Sequence, residues 1–146
     1  MYDTILIPYD GSKEARRGAE HGIDLATAVG ADVHALYVID LPGAPRALSI
    51  RDDEEEMREE YRTYGEDVTN EICDLATDAG LECTTAIKSG SPGEEIVEYA
   101  EDEGIDAIVI GSAYQGRFGS LLGSTSEKVV RTSSVPVVTT RLQSND

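Results

Sequence analysis

The sequence contains no apolar run approaching the roughly 18 residues that a membrane-crossing helix needs. Met1-Tyr2-Asp3-Thr4-Ile5 carries neither a positively charged leader nor a small-residue cleavage site, so no signal peptide is expected and the expected compartment is the cytoplasm. Cysteine is scarce. Cys73 and Cys83 are too few and too far apart for a zinc knuckle or a Cys-x-x-Cys redox pair, and are expected to be small buried hydrophobes. His21 and His34 fall in different elements with no cysteine or acidic motif at ligand spacing, so no metal site is expected.

Lysine is scarce too: Lys13, Lys88 and Lys128 are the only three among twelve basic residues. Against them stand 29 acidic residues, for a formal net charge of -17. That charge excludes nucleic acid and anionic membranes as partners, because both would repel the surface. A carboxylate-dense, lysine-poor surface resembles that of cytoplasmic proteins from salt-accumulating halophiles, where salt screens the self-repulsion. The other reading is an ordinary acidic protein. The two differ in one respect: the halophilic version loses stability when salt is removed.

The 146 residues fit one domain, 1–146. Thr4-Ile5-Leu6-Ile7-Pro8 reads as a short apolar strand. After Tyr9-Asp10-Gly11, Ser12 caps a helix from about Lys13 to Val29, whose apolar positions recur at helical spacing until Gly30 stops it. Asp32 to Ile39 is a second strand, so the first forty residues form a βαβ unit with a right-handed crossover. An irregular connection from Asp40 to Ser49 leads to a long polar helix, about Arg51 to Ala79. Met57, Tyr61, Tyr64, Val68, Ile72, Leu75 and Ala76 are its expected buried stripe. A third strand runs from Leu81 to Lys88 and a third helix from Glu94 to Glu103, with Pro92 near its start. A last helix, Thr125 to about Thr132, precedes a fifth strand at Val135–Thr140. Five strands alternating with four helices predict a doubly wound parallel α/β sheet with helices on both faces. Pro136 would disrupt a central strand, which places the fifth strand at an edge.

The chain is organised around Asp106 to Lys128. Ala107-Ile108-Val109-Ile110 is continuous enough in apolar character to be a strand buried on both faces. A loop with Gly111, Gly116, Gly119 and Gly123 follows, and a helix then restarts with Ser124 as expected N-cap and Glu127 completing a capping box. Strand, glycine-rich loop and helix start together form an arrangement that cradles phosphates. A glycine-rich turn without ligand is the plain alternative. Ligands of such sheets bind beyond the carboxyl ends of the strands, at the point where strand order reverses. If the first and fourth strands flank that point, Asp10 and the glycine loop face one crevice.

Taken in order, these segments resemble the universal stress protein family along essentially the whole chain. The resemblance is carried by Thr4–Pro8 with Asp10-Gly11-Ser12, Leu36–Asp40, Gly90-Ser91-Pro92, Ala107–Ser112, Leu121–Ser124 and Val135-Pro136-Val137. It implies an adenine nucleotide alpha hydrolase-like fold of strand order 3-2-1-4-5 and a homodimer joined through Val135–Thr140. It also implies ATP or AMP, with or without Mg²⁺, bound without rapid turnover in a protein of stress resistance. Carried over residue by residue, the nucleotide site comprises Pro8, Tyr9 and Asp10, the last beside the ribose, and Val38, whose backbone meets the adenine. Gly111, Gly123, Ser124 and Thr125 frame the phosphates, and Arg117 neutralises one. The family loop has glycine, two residues, glycine, nine residues, then glycine followed by serine or threonine. Here Tyr114 occupies the second glycine position and the loop is one residue short, with Gly116 offering a shifted turn.

Two functions follow: a nucleotide-binding stress regulator, or a dimeric interaction protein of the same fold that does not bind nucleotide. An ATP-splitting enzyme of related fold would need a richer first loop than Asp10-Gly11-Ser12, and no nucleophile–base pair stands out. Slow ATP hydrolysis is the most that is expected.

Overall fold

The computed structural model describes residues 2–40, 51–113 and 123–142. The chain order is β1 (Thr4–Pro8), α1 (Lys13–Val29), β2 (Asp32–Ile39), α2 (Arg51–Asp78), β3 (Cys83–Ser89), α3 (Pro92–Asp102), β4 (Ala107–Ala113), α4 (Ser124–Thr132) and β5 (Val137–Leu142). All strands are parallel and lie in the order β3-β2-β1-β4-β5, the order expected from the sequence.

Alternation along the central strands produces two cores. Ile5, Ile7, Val33, Ala35, Val109 and their neighbours face α1 and α2. Leu6, Leu36, Ile108 and Ile110 face the other way, onto Ile96, Tyr99 and Ala100 of α3 and Val129 of α4. Burial of both faces explains why these strands read as continuous apolar runs. Helix α1 begins where the Ser12 hydroxyl accepts from the Ala15 amide at 3.2 Å, and ends at Gly30 in the left-handed region, φ 72.

Three expectations need correction. Cys73 and Cys83 are joined as a disulfide, with Cα atoms 5.3 Å apart. Helix α2 and strand β3 pack antiparallel across the turn at Gly80, which brings the last turns of one beside the first residue of the other. The apolar stripe of α2 is only partly buried: Val68, Ile72 and Ala76 are inside, but Met57, Tyr61 and Tyr64 are 47%, 37% and 44% exposed. A helix of 28 residues is about 42 Å long, longer than any strand beneath it, so its first half overhangs the carboxyl ends of the sheet. Strand β5 starts at Val137, two residues later than expected, because Pro136 has no N–H to pair; its carbonyl accepts from Ile108 at 3.0 Å. The strand does lie at an edge. No helix among the described residues is long and apolar enough to cross a membrane.

Candidate functional site

Strand β1 stays paired with β2 through Pro8 and Leu36, and the Tyr9 amide still donates to Leu36 at 2.9 Å. Its pairing with β4 ends at Leu6 and Ile108. Beyond that point the two strands diverge, as expected where strand order reverses, and a cleft of about 460 Å³ opens. That volume lies within the range of small-molecule sites.

Eight of the ten residues singled out from the sequence line this one cleft: Pro8, Tyr9, Asp10, Val38, Gly111, Gly123, Ser124 and Thr125. Gly116 and Arg117 lie outside the described residues, as does Tyr114. The β4 side is held by two buried hydroxyls that the sequence reading gave no such role. Ser112, 3% exposed, accepts the Gly123 amide at 2.8 Å; Ser126, also 3% exposed, donates to the Gly111 carbonyl at 3.4 Å. Together they fix the start of α4 to the end of β4. Their signal in the sequence is position alone, a serine directly after an apolar strand and another in the first turn of a helix.

The expected capping box is absent. Gly123 is the N-cap, with φ -62 and ψ 158 and no capping side chain, and Ser124 is the first helical residue. Glu127 turns outward to Arg131 at 3.1 Å. Among the described residues no side chain caps the first-turn amides of α4, which lie beside a cleft lined by Ser124, Thr125 and Ser126. Such a terminus favours an anion.

Across the cleft, Asp10 is engaged locally. Its carboxylate accepts from the Ser12 amide at 2.9 Å and the Ser12 hydroxyl at 2.6 Å, which makes an Asx-turn before α1. Its carbonyl accepts from the Tyr64 hydroxyl at 2.7 Å, tying α2 to the rim. The Tyr64 ring meets Tyr37 edge-on, with centroids 5.5 Å apart. Burial pushes the Tyr37 hydroxyl above its ordinary pKa, and the nearby Tyr64, Tyr61 and Asp10 push in the same direction. Behind this wall the Tyr9 hydroxyl donates to Glu71 at 3.3 Å, and Arg16 pairs with Glu71 at 2.8 Å and Glu20 at 3.2 Å. Burial also raises the Tyr9 pKa.

The electrostatic balance is uneven. Asp10, Glu14 and Asp40 line the cleft, and none of its lining residues among those described is basic. Among the described residues no group of three or more histidine, cysteine or acidic side chains could hold a metal ion. The arrangement offers backbone amides and hydroxyls at the α4 end, the Asp10 carboxylate at the end of β1, and Asp40 with a partly apolar wall of Tyr37, Val38 and Tyr61 at the β2 end.

Comparison with known proteins agrees with this architecture. The chain is 34% identical over 144 residues to universal stress protein MJ0531 of Methanocaldococcus jannaschii, spanning 94% of this chain and 81% of that one. It superposes on the solved structure of MJ0577 from the same organism with a TM-score of 0.82, at 31% identity and 97% coverage of each chain. A universal stress protein family protein from Arabidopsis thaliana, solved with AMP bound, shares the fold with a TM-score of 0.73 at 17% identity, covering 98% of this chain and 94% of that one. Residues 1–141 match the family described as the universal stress protein family, and the chain belongs to it.

Proposed function

We propose that this chain is a stress-response protein that binds an adenine nucleotide, ATP or AMP, in the cleft between β1 and β4, and turns it over slowly or not at all. One observation carries the reading. The Ser112–Gly123 bond holds the start of α4, where Gly123 supplies no capping side chain, over a cleft that continues past Asp10 to Val38. Phosphates meet the α4 amides, the ribose lies near Asp10, and the base reaches the end of β2. A protein of the same fold solved with AMP bound supports the ligand class. Asp10, Glu14 and Asp40 would repel a bare triphosphate, so ATP enters with Mg²⁺ carried on its phosphates.

The chain acts as a homodimer in this reading, joined through the segment expected at Val135–Thr140, whose strand is β5, since among the described strands β5 pairs only with β4 and no other lies on its outer edge. A salt-rich cytoplasm suits its charge of -17.

The second reading, a dimeric interaction protein without nucleotide, is favoured by Tyr114 at a glycine position and by the three carboxylates in the cleft. Mass spectrometry of gently denatured protein, purified without added nucleotide and then titrated with ATP and AMP from low to molar KCl, separates the two. ATP or AMP at near-stoichiometric occupancy is the expected result. Absence of any adenine nucleotide at every salt concentration leaves the second reading.

A further inference from the structure

We infer that Tyr61 is the outer wall of the base end of the cleft, and that its ring packs on the flat face of the bound base. This rests on the nucleotide reading above. Tyr61 lines the cleft together with Val38 and Asp40, at the end of β2. The α4 amides lie beyond β4, on the far side of β1. Two strand spacings separate β2 from β4, roughly 10 Å, which is the scale of a nucleoside with its first phosphate. The sheet order therefore places Tyr61 where a base lies when phosphates sit on α4.

The helix that carries Tyr61 is held in place by its neighbour one turn on. Tyr64 donates to the Asp10 carbonyl at 2.7 Å and packs edge-on against Tyr37. Residues three apart share a helix face, so these two contacts hold at the rim the helix turn that carries Tyr61. Yet Tyr61 is 37% exposed, unlike Val68 and Ile72 further along the same stripe, which are buried. A large amphipathic ring, anchored at the mouth of a cleft and left part-exposed by the protein, is suited to an aromatic ligand face. Its tolerance of any π-face makes it a wall rather than a reader of the base, so Tyr61 is a positioning residue.

The chain contains no tryptophan, so Tyr61→Trp introduces a single reporter. Titration of the full chain with AMP and ATP, for wild type, Tyr61→Phe, Tyr61→Ala and Tyr61→Trp, tests the assignment. Tyr61→Ala is expected to weaken AMP and ATP by the same factor, about tenfold, because the loss is at the base and not the phosphates. Tyr61→Phe keeps the wild-type affinity, and the emission of Tyr61→Trp changes on saturation. Circular dichroism checks that Tyr61→Ala remains folded; its exposed site predicts that it does. If wild type binds and Tyr61→Ala binds equally well, with the indole emission of Tyr61→Trp unmoved, this assignment is overturned while the nucleotide reading stands. If wild type binds no adenine nucleotide, both fall.

Discussion

Gly18 in α1 and Gly111 in β4 lie so close that a methyl group on Gly18 would sit 2.8 Å from the Gly111 Cα and overlap its amide. In the other direction, a methyl on Gly111 would run into the Glu14 carbonyl oxygen. Both neighbours are backbone, which cannot rotate away. Gly18→Ala and Gly111→Ala should each cost about 1–3 kcal/mol, the usual range for overpacking, with Gly111→Ala the worse. Urea denaturation without any ligand measures this. A Gly111→Ala variant of wild-type stability would mean that this glycine serves the loop and not the packing of α1.

That relationship marks the limit of what the sequence discloses. The apolar runs Ile5–Ile7 and Ala107–Ile110, with Ser12 and Gly30 as helix punctuation, make the sheet and α1 readable, because each signal is local. Gly111 is equally visible, but the sequence suggests phosphate binding, whereas its tightest constraint is Gly18 and Glu14, more than ninety positions away. The Ser112–Gly123 bond and the Cys73–Cys83 disulfide escape notice for the same reason: each joins two elements whose approach depends on the whole layer. The exposure of Met57 and Tyr61 escapes it differently. Their spacing is that of a buried stripe, and only the length of α2 against the sheet carries them past the core.

His34 and Tyr99 predict how stability changes with pH. Their side chains meet at 2.6 Å, from His34 Nδ1 to the Tyr99 hydroxyl, between β2 and α3. Burial lowers the His34 pKa below its ordinary value, although Glu103 and Asp32 pull upward. Below the ordinary histidine range the unfolded chain therefore binds a proton that the folded chain resists. Stability from this site is full above about pH 6.5 and lost as pH falls through the lower folded value. Tyr99 works at the other end: burial, with the Glu103 charge adding, pushes its pKa up to about 12. Its contribution is full below about pH 10 and lost as pH rises toward the folded value. Tyr99→Phe should cost about 1 kcal/mol at neutral pH, the net worth of one hydrogen bond, and remove this site's share of the alkaline loss, leaving that of the buried Tyr9 and Tyr37. Thermal melts from pH 5 to 12 on wild type, Tyr99→Phe and His34→Leu check both limbs. Parallel curves for all three would refute the assignment.

Reduction of Cys73–Cys83 should loosen the corner where α2 turns into β3. The disulfide closes a loop spanning ten positions, worth about 2–3 kcal/mol by loop-closure entropy. Dithiothreitol, or Cys83→Ser, should lower the melting temperature by roughly 2–4 °C for each kcal/mol lost. Alkylation of protein trapped directly from cells, followed by intact-mass measurement, tests the bond itself. No added alkyl groups means that the bond forms where the protein works; two mean that its compartment keeps both thiols reduced, as a cytoplasm ordinarily does.

The strongest test of the charge is the removal of salt. The Debye length grows from about 3 Å in molar salt to about 10 Å at 0.1 M, so carboxylates a helix turn apart begin to repel as salt is withdrawn. The exposed face of α2 concentrates them, with Glu55, Glu56, Glu59 and Glu60 in succession and Glu66 and Asp67 further on. Local ion pairs offset little: Arg16–Glu20 and Arg131–Glu127 are half-exposed pairs of the kind worth under about 1 kcal/mol. With a net charge of -17 left over, the melting temperature should rise steadily with KCl between about 0.1 M and 3 M. Potassium chloride separates screening from solvent exclusion, because sulfate or sucrose stabilises most proteins irrespective of charge. A melting temperature that responds to sulfate but stays flat in KCl would mark an ordinary acidic protein whose carboxylates are spaced widely enough to tolerate one another.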